Sequence, residues 1–175
     1  KTSMTDSGED WPNFLGPRHN SISSEKGLIL SWPPEGPRIM WSRELGPSYS
    51  GPVTSEGRLI LFHRVDMEEV IQCVNAATGT EIWKYSYPTR YVDQYGYNNG
   101  PRSSPTIHLN RVYTYGAEGK LTCTDFRTGE LVWQRWINRE YQVPQNFFGV
   151  AGSPVIDGEL LFLNTGGRGS ACRLP

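Results

Sequence analysis

Two stretches of this chain concentrate side chains suited to recognition: Tyr87-Pro-Thr-Arg-Tyr91-Val-Asp-Gln-Tyr95-Gly-Tyr97-Asn-Asn-Gly-Pro-Arg102 and Asn138-Arg-Glu-Tyr141-Gln-Val-Pro-Gln-Asn-Phe147-Phe148-Gly149. Tyrosine and arginine combine a large contact surface with a polar end, and they dominate binding surfaces when a rigid scaffold holds them on loops. Tyr95, Tyr97, Arg102, Tyr141, Phe147 and Phe148 are therefore the candidate recognition residues. The competing reading is that these aromatics only cap the core beneath long loops.

Other reactive residue types do not assemble. His19, His63 and His108 have no metal-ligand spacing with one another or with the cysteines. Asp66, Glu68 and Glu69 lack the alternating spacing of a calcium loop and read as a solvated turn. No Gly-x-Ser-x-Gly elbow occurs, and Ser103-Ser104-Pro105 and Ser153-Pro154 mark strand starts instead. Gly166-Gly-Arg-Gly169 neither follows a strand into a helix nor reads as a phosphate loop. No catalytic residue and no metal ligand is assigned, and no cofactor is expected from these residues.

The elements that hold the two loops follow from a repeat. Cys73-Val-Asn-Ala-Ala-Thr78-Gly79-Thr-Glu-Ile-Trp83 returns 50 residues later as Cys123-Thr-Asp-Phe-Arg-Thr128-Gly129-Glu-Leu-Val-Trp133. A period of this length, carrying a turn signal and a following tryptophan, is the mark of a β-propeller blade. Gly79 and Gly129 supply a positive φ to a hairpin, while Asn75 and Asp125 bond amides two residues on. Each tryptophan then falls on the next strand, where a buried area of roughly 150 to 250 Å² and an indole N–H can lock one blade to the next.

The first blade is expected over Gly51–Ser55, Arg58–His63, Glu69–Asn75 and Glu81–Tyr87. The second is expected over Ser104–Leu109, Arg111–Tyr115, Lys120–Asp125 and Glu130–Ile137, with a third begun by Ser153–Ile156 and Glu159–Asn164. Apolar runs such as Leu59-Ile-Leu-Phe62 and Leu160-Leu-Phe-Leu163 fit strands covered on both faces. The two recognition loops each join an outer strand to the next inner strand. In a propeller that puts them on one face around the central channel.

Composition agrees. With 19 Gly, 13 Pro, 12% aromatic and 37% hydrophobic residues, the chain suits many short strands and tight turns, an all-β fold. A formal net charge of −1 without runs of like charge argues against nucleic acid as a partner, and no apolar stretch reaches the length of a transmembrane helix. Residues Lys1 to Asp10 are polar rather than a signal-peptide core, and the missing initiator Met fits a trimmed start. Three cysteines cannot all pair within the chain, and Cys73 and Cys123, at equivalent repeat positions, read as small core residues. Cys172, in the tail, is a candidate free thiol. At 175 residues there is room for at most three and a half periods, against roughly 4 to 8 blades in a closed ring.

The repeated Ala/Cys-x-Asn/Asp-x-x-Thr-Gly-x-x-x-Trp pattern resembles the tryptophan-docking repeat of the pyrroloquinoline quinone (PQQ)-like β-propellers. That superfamily contains quinoprotein alcohol dehydrogenases and the non-enzymatic BamB-type lipoproteins of outer-membrane protein assembly. Trp11-Pro-Asn-Phe-Leu-Gly-Pro17 is similar to the segment preceding the first blade of secreted bacterial members, and Trp41 resembles the lone outer strand with which their N-terminus closes the last blade. The resemblance implies a partial β-propeller of about two and a half four-stranded antiparallel blades. It divides the chain into a lead-in segment with that lone strand (1–45), blades (46–167) and an irregular tail (168–175).

It also implies a periplasmic or secreted, non-catalytic binding or scaffolding module of the bacterial envelope, with an unknown protein or small-molecule partner, completed by missing blades or self-association. The alternative is a fragment of a PQQ-dependent alcohol dehydrogenase using PQQ with Ca²⁺. Members of that branch often hold the cofactor beneath a vicinal disulfide, and this chain has no Cys-Cys pair.

Overall fold

The computed structural model describes residues 8–29, 31–144, 148–166 and 171–174. Three antiparallel sheets succeed one another along the chain. The first is β1 (Val53–Ser55), β2 (Arg58–Val65), β3 (Glu68–Asn75) and β4 (Glu81–Pro88), in that spatial order. The second repeats it with β5 (Thr106–His108), β6 (Arg111–Tyr115), β7 (Lys120–Asp125) and β8 (Leu131–Trp136). A single helical turn, α1 (Ile137–Glu140), succeeds β8 where the sequence predicts continuing strand at Ile137, and that residue is buried. The third sheet holds β9 (Val155–Asp157), β10 (Leu160–Asn164) and β11 (Ala171–Leu174), in the order β11-β10-β9. The innermost strands touch, β1 against β5 and β5 against β9, so the sheets are arranged as successive blades of an open, partial propeller.

Both repeats fold alike down to their irregularities. The β3–β4 and β7–β8 ladders each carry a register shift, between Cys73 and Val74 and between Cys123 and Thr124. Gly79 and Gly129 take φ +71° and +76°. Asn75 Oδ1 accepts the Ala77 and Thr78 amides at 3.0 Å each, and Asp125 Oδ1 accepts those of Arg127 and Thr128 at 2.8 and 3.0 Å.

The tryptophan of the first repeat meets the turn of the second. The Trp83 indole N–H donates to Phe126 O at 2.9 Å, and its ring lies where a Cβ on Gly129 would stand, 2.5 Å away. Trp41 does the same one blade earlier, donating to Ala76 O at 3.0 Å and covering Gly79. The strand expected around Trp41 is not formed: residues 38–45 are extended without a ladder. An extended segment becomes a strand only when a neighbouring edge pairs with it, and this one is held by side chains, Arg43 donating to Gly79 O at 2.8 Å.

Apolar faces fill the spaces between blades. Ile60, Phe62, Ile71, Cys73, Trp83 and Val112 belong to the core cluster between the first two sheets, and Tyr115, Leu121, Ile137, Leu161 and Leu163 to that between the second and third. Cys73 and Cys123 are buried free thiols, and burial pushes the Cys123 thiol up to about 11. The reading of 168–175 as an irregular tail is corrected by β11, which pairs from Leu161↔Leu174 to Asn164↔Ala171 and places Cys172 opposite Leu163. Backbone pairing with β10 needs no apolar run of its own, so the pattern of side chains gives no sign of it. Of the Gly166-Gly-Arg-Gly169 run, all but the first residue lies outside the described residues.

Candidate functional site

The connection from β4 to β5 is built around one carboxylate. Asp93, whose side chain has no solvent exposure, accepts the Tyr95 amide on Oδ1 and the Asn98 amide on Oδ2, each at 3.0 Å. Arg102 reaches Oδ2 of the same group at 3.1 Å and donates to Gly100 O and Asn98 O at 2.5 and 2.8 Å. Burial works to raise the Asp93 carboxyl, but the Tyr95 and Asn98 amides and the Arg102 guanidinium outweigh it and hold the group below the usual aspartate range.

Below the loop, Arg64 of β2 donates to Tyr91 O at 2.5 Å, Asn99 O at 3.0 Å and Asp66 O at 2.7 Å, tying it to the β2–β3 turn. Glu118, in the β6–β7 turn, accepts the Thr89 hydroxyl and the Arg90 amide at 2.9 and 2.7 Å. The loop is therefore a fixed structure rather than a loose connection.

On this base stands a row of exposed rings. Tyr95 lies 6.1 Å from Tyr97 and 5.7 Å from Phe148, centroid to centroid, with interplanar angles of 25° and 29°. Parallel rings in face-to-face contact sit closer than that, so the three are offset like steps, and they remain 56%, 72% and 54% exposed. Phe148 comes from the other long loop. Its position is set by Gly149, whose φ of +68° and missing Cβ let the chain pass 2.7 Å from Ala117 O and 3.0 Å from the Tyr91 ring.

The structure thus joins Tyr95, Tyr97 and Phe148 at the surface and separates the rest. Arg102 lies beneath, its guanidinium 4.7 Å from the Tyr91 ring centre and 5.5 Å from that of Tyr49. Tyr141 packs against the core of the second and third sheets, and Phe147 lies outside the described residues. Asp93 and Arg64, which sequence reasoning misses, organise the site. The Asp-Gln-Tyr-Gly-Tyr-Asn-Asn run, dense in side chains that bond their own backbone, is the available signal for Asp93.

Beside Arg102, on the channel side, is a cleft of about 370 Å³ whose walls include Asn13, His19, Tyr49, Ser104 and Ser153. These residues do not fit a calcium-held quinone: no carboxylate lines the cleft, and Arg102 already has Asp93 as its counter-ion. Among the described residues no group of three His, Cys, Asp or Glu side chains is placed to hold a metal ion.

Successive four-stranded blades, joined by long loops on one face, define a PQQ-like β-propeller array. The sequence profile of the outer membrane protein assembly factor BamB family matches residues 23–174, and the chain belongs to that family. BamB from Moraxella catarrhalis is similar in structure, with a TM-score of 0.51 and 19% identity over 75% of this chain and 33% of its own. Quinohemoprotein alcohol dehydrogenase from Comamonas testosteroni gives a TM-score of 0.57 and 18% identity, over 90% of this chain and 23% of its own. A europium-containing methanol dehydrogenase gives 0.55 and 14%, over 74% and 23%. The chain therefore spans a third or less of the length of each. No curated protein sequence matches it.

Proposed function

We propose that this chain is a non-catalytic binding or scaffolding module of a bacterial envelope PQQ-like β-propeller protein, periplasmic or secreted, whose partner is a protein docking on Tyr95, Tyr97 and Phe148. The observation that carries the reading is the stepped row of exposed rings, contributed by two inter-blade loops and braced by Asp93, Arg102 and Arg64. Exposed aromatics on a rigid base lose little conformational entropy on binding, which is what makes such residues dominate interfaces. Membership of a family described as an outer membrane protein assembly factor supports an envelope setting and a protein partner. In the same reading Trp41 and Trp83 are the docking residues of the repeat.

A photo-crosslinking amino acid at position 97 tests this in envelope preparations. The expected result is a discrete crosslinked protein that disappears when Tyr95 and Phe148 are replaced by Ala and is absent when the crosslinker stands at Glu130, on a different turn. Equal labelling from both positions would refute the assignment.

The second reading, a piece of a PQQ-dependent alcohol dehydrogenase, is favoured by the two dehydrogenases among the similar structures. The lining of the channel-side cleft speaks against it for these residues. Addition of PQQ and Ca²⁺, followed by absorbance and dye-linked alcohol oxidation, is expected to give neither saturable binding nor turnover.

A further inference from the structure

Residues 10–12 run along the inner edges of the first two blades and hydrogen-bond to both. Trp11 and Thr54 form an isolated antiparallel bridge, with Trp11 N–H donating to Thr54 O at 3.0 Å and Thr54 N–H to Trp11 O at 2.9 Å. One residue on, Pro12 O accepts Ile107 N–H at 2.7 Å. One residue back, the Asp10 carboxylate accepts the Ser55 hydroxyl at 2.9 Å and the Glu56 amide at 3.1 Å, at a turn where Glu56 has φ +48°. β1 and β5 are edge strands of their sheets, and an edge with unpaired N–H and C=O groups is a template for an extended peptide.

Each residue type suits its place. The second position needs both an N–H and a C=O, which Trp11 supplies. The third needs only a carbonyl, so the N–H that proline lacks is not missed. The first needs a short acceptor that reaches a turn amide, as Asp10 does. The segment is also pre-shaped: Gly16, at φ +76°, has the Trp11 indole 2.7 Å from where its Cβ would be, and its amide donates to Asn13 O at 3.0 Å.

The chain beyond this segment is a tether. Among the described residues from 26 to 40, none hydrogen-bonds to a blade, and the chain is next fixed at Trp41. A ligand on such a tether binds at an effective concentration in the millimolar range, without needing high intrinsic affinity.

We propose that the inner edges of β1 and β5 form a binding site for extended peptides of the type acidic-aromatic-proline, and that residues 10–16 are its tethered occupant, exchangeable for the same sequence supplied in trans. Phe14, His19 and Asn13 of the same stretch of chain also wall the channel-side cleft, so release of the occupant opens that cleft.

The test uses the full chain carrying Gly16→Val, which cannot pack beneath Trp11, and separately Asp10→Ala, an exposed change that leaves the blades intact. Amide hydrogen exchange is read at Thr54, Ile107 and, as a control, Ile71 in β3. A fluorescein-labelled peptide of residues 8–20 is titrated by anisotropy. The expected result is at least tenfold faster exchange at Thr54 and Ile107 in both variants, with Ile71 unchanged. Saturable peptide binding is expected to the variants and not to the native chain, and it should restore protection. A peptide N-methylated at Trp11 should not bind. Unchanged exchange at Thr54 and Ile107 in both variants overturns the proposal. So does failure of the peptide to bind a variant whose Ile71 remains protected.

Discussion

Glu69 is a carboxylic acid where water scarcely reaches, 1% exposed between the first two blades. It accepts the Ala117 N–H at 2.8 Å, and the missing side chain of Gly116 leaves the space that its carboxyl occupies. Burial raises its pKa above the ordinary 4.5, with the Ala117 N–H opposing. Because the folded chain then holds a proton that the unfolded chain has lost, this group's stabilising contribution is full below about pH 4.5 and declines as pH rises. Glu69→Gln keeps an acceptor for Ala117 and removes the ionisation. Urea melts from pH 4 to 8 should therefore show native stability falling relative to Glu69→Gln, and parallel curves would exclude the assignment. The sequence groups Glu69 with Asp66 and Glu68 as solvated turn acids, and the structure corrects this. Glu68 is exposed, and Glu69, one residue further into β3, points to the opposite face. The repeat tryptophan is legible: Trp83→Ala should cost about 3 to 5 kcal/mol in the same melts, the usual loss for a buried large aromatic. Gly129→Val should also destabilise, since it needs a positive φ and collides with the Trp83 ring.

At the scale of elements, the two long loops separate into a scaffold and a surface. Tyr95→Ala and Phe148→Ala remove rings that are more than half exposed, and each should change folding stability by no more than about 0.5 kcal/mol while weakening partner capture. Asp93→Asn should behave in the opposite way, releasing Arg102 and speeding exchange of the Tyr95 and Asn98 amides without touching the blades. If Asp93→Asn left those amides protected, the carboxylate would not be the organiser of the loop. The positions of both loops are legible because turn signals and strand patterns bracket them. Which aromatics converge is not. Tyr141 comes just after α1, and that one helical turn carries it back onto the core with Ile137, away from the row.

As a whole molecule, the described chain is an open array. Leu161 and Leu163 of β10 face the second blade and are buried, whereas Phe162 points to the other side, paired across the ladder with Val155, at 40% and 46% exposure. A repeat array depends on contacts between neighbours, and an uncovered apolar blade face invites another. These 175 residues should accordingly show concentration-dependent association in sedimentation velocity. Phe162→Glu should reduce it, and addition of further blade sequence should suppress it. A strictly monomeric species across the accessible concentration range would refute this.

By itself the sequence determined the repeat unit: where each hairpin turns, which glycines need a positive φ, and that the chain is a run of antiparallel blades. These are local matters, set by turn chemistry and by the two-residue alternation of a strand, and they recur wherever the residues recur. The tertiary structure decided what meets across distance. It brought Trp11 to Thr54 and Pro12 to Ile107, set Phe148 beside Tyr95, buried Glu69 against Ala117 and paired residues 171–174 with β10. Such contacts depend on the angle and spacing between blades, quantities that arise only when several sheets pack together and that no single stretch of sequence carries.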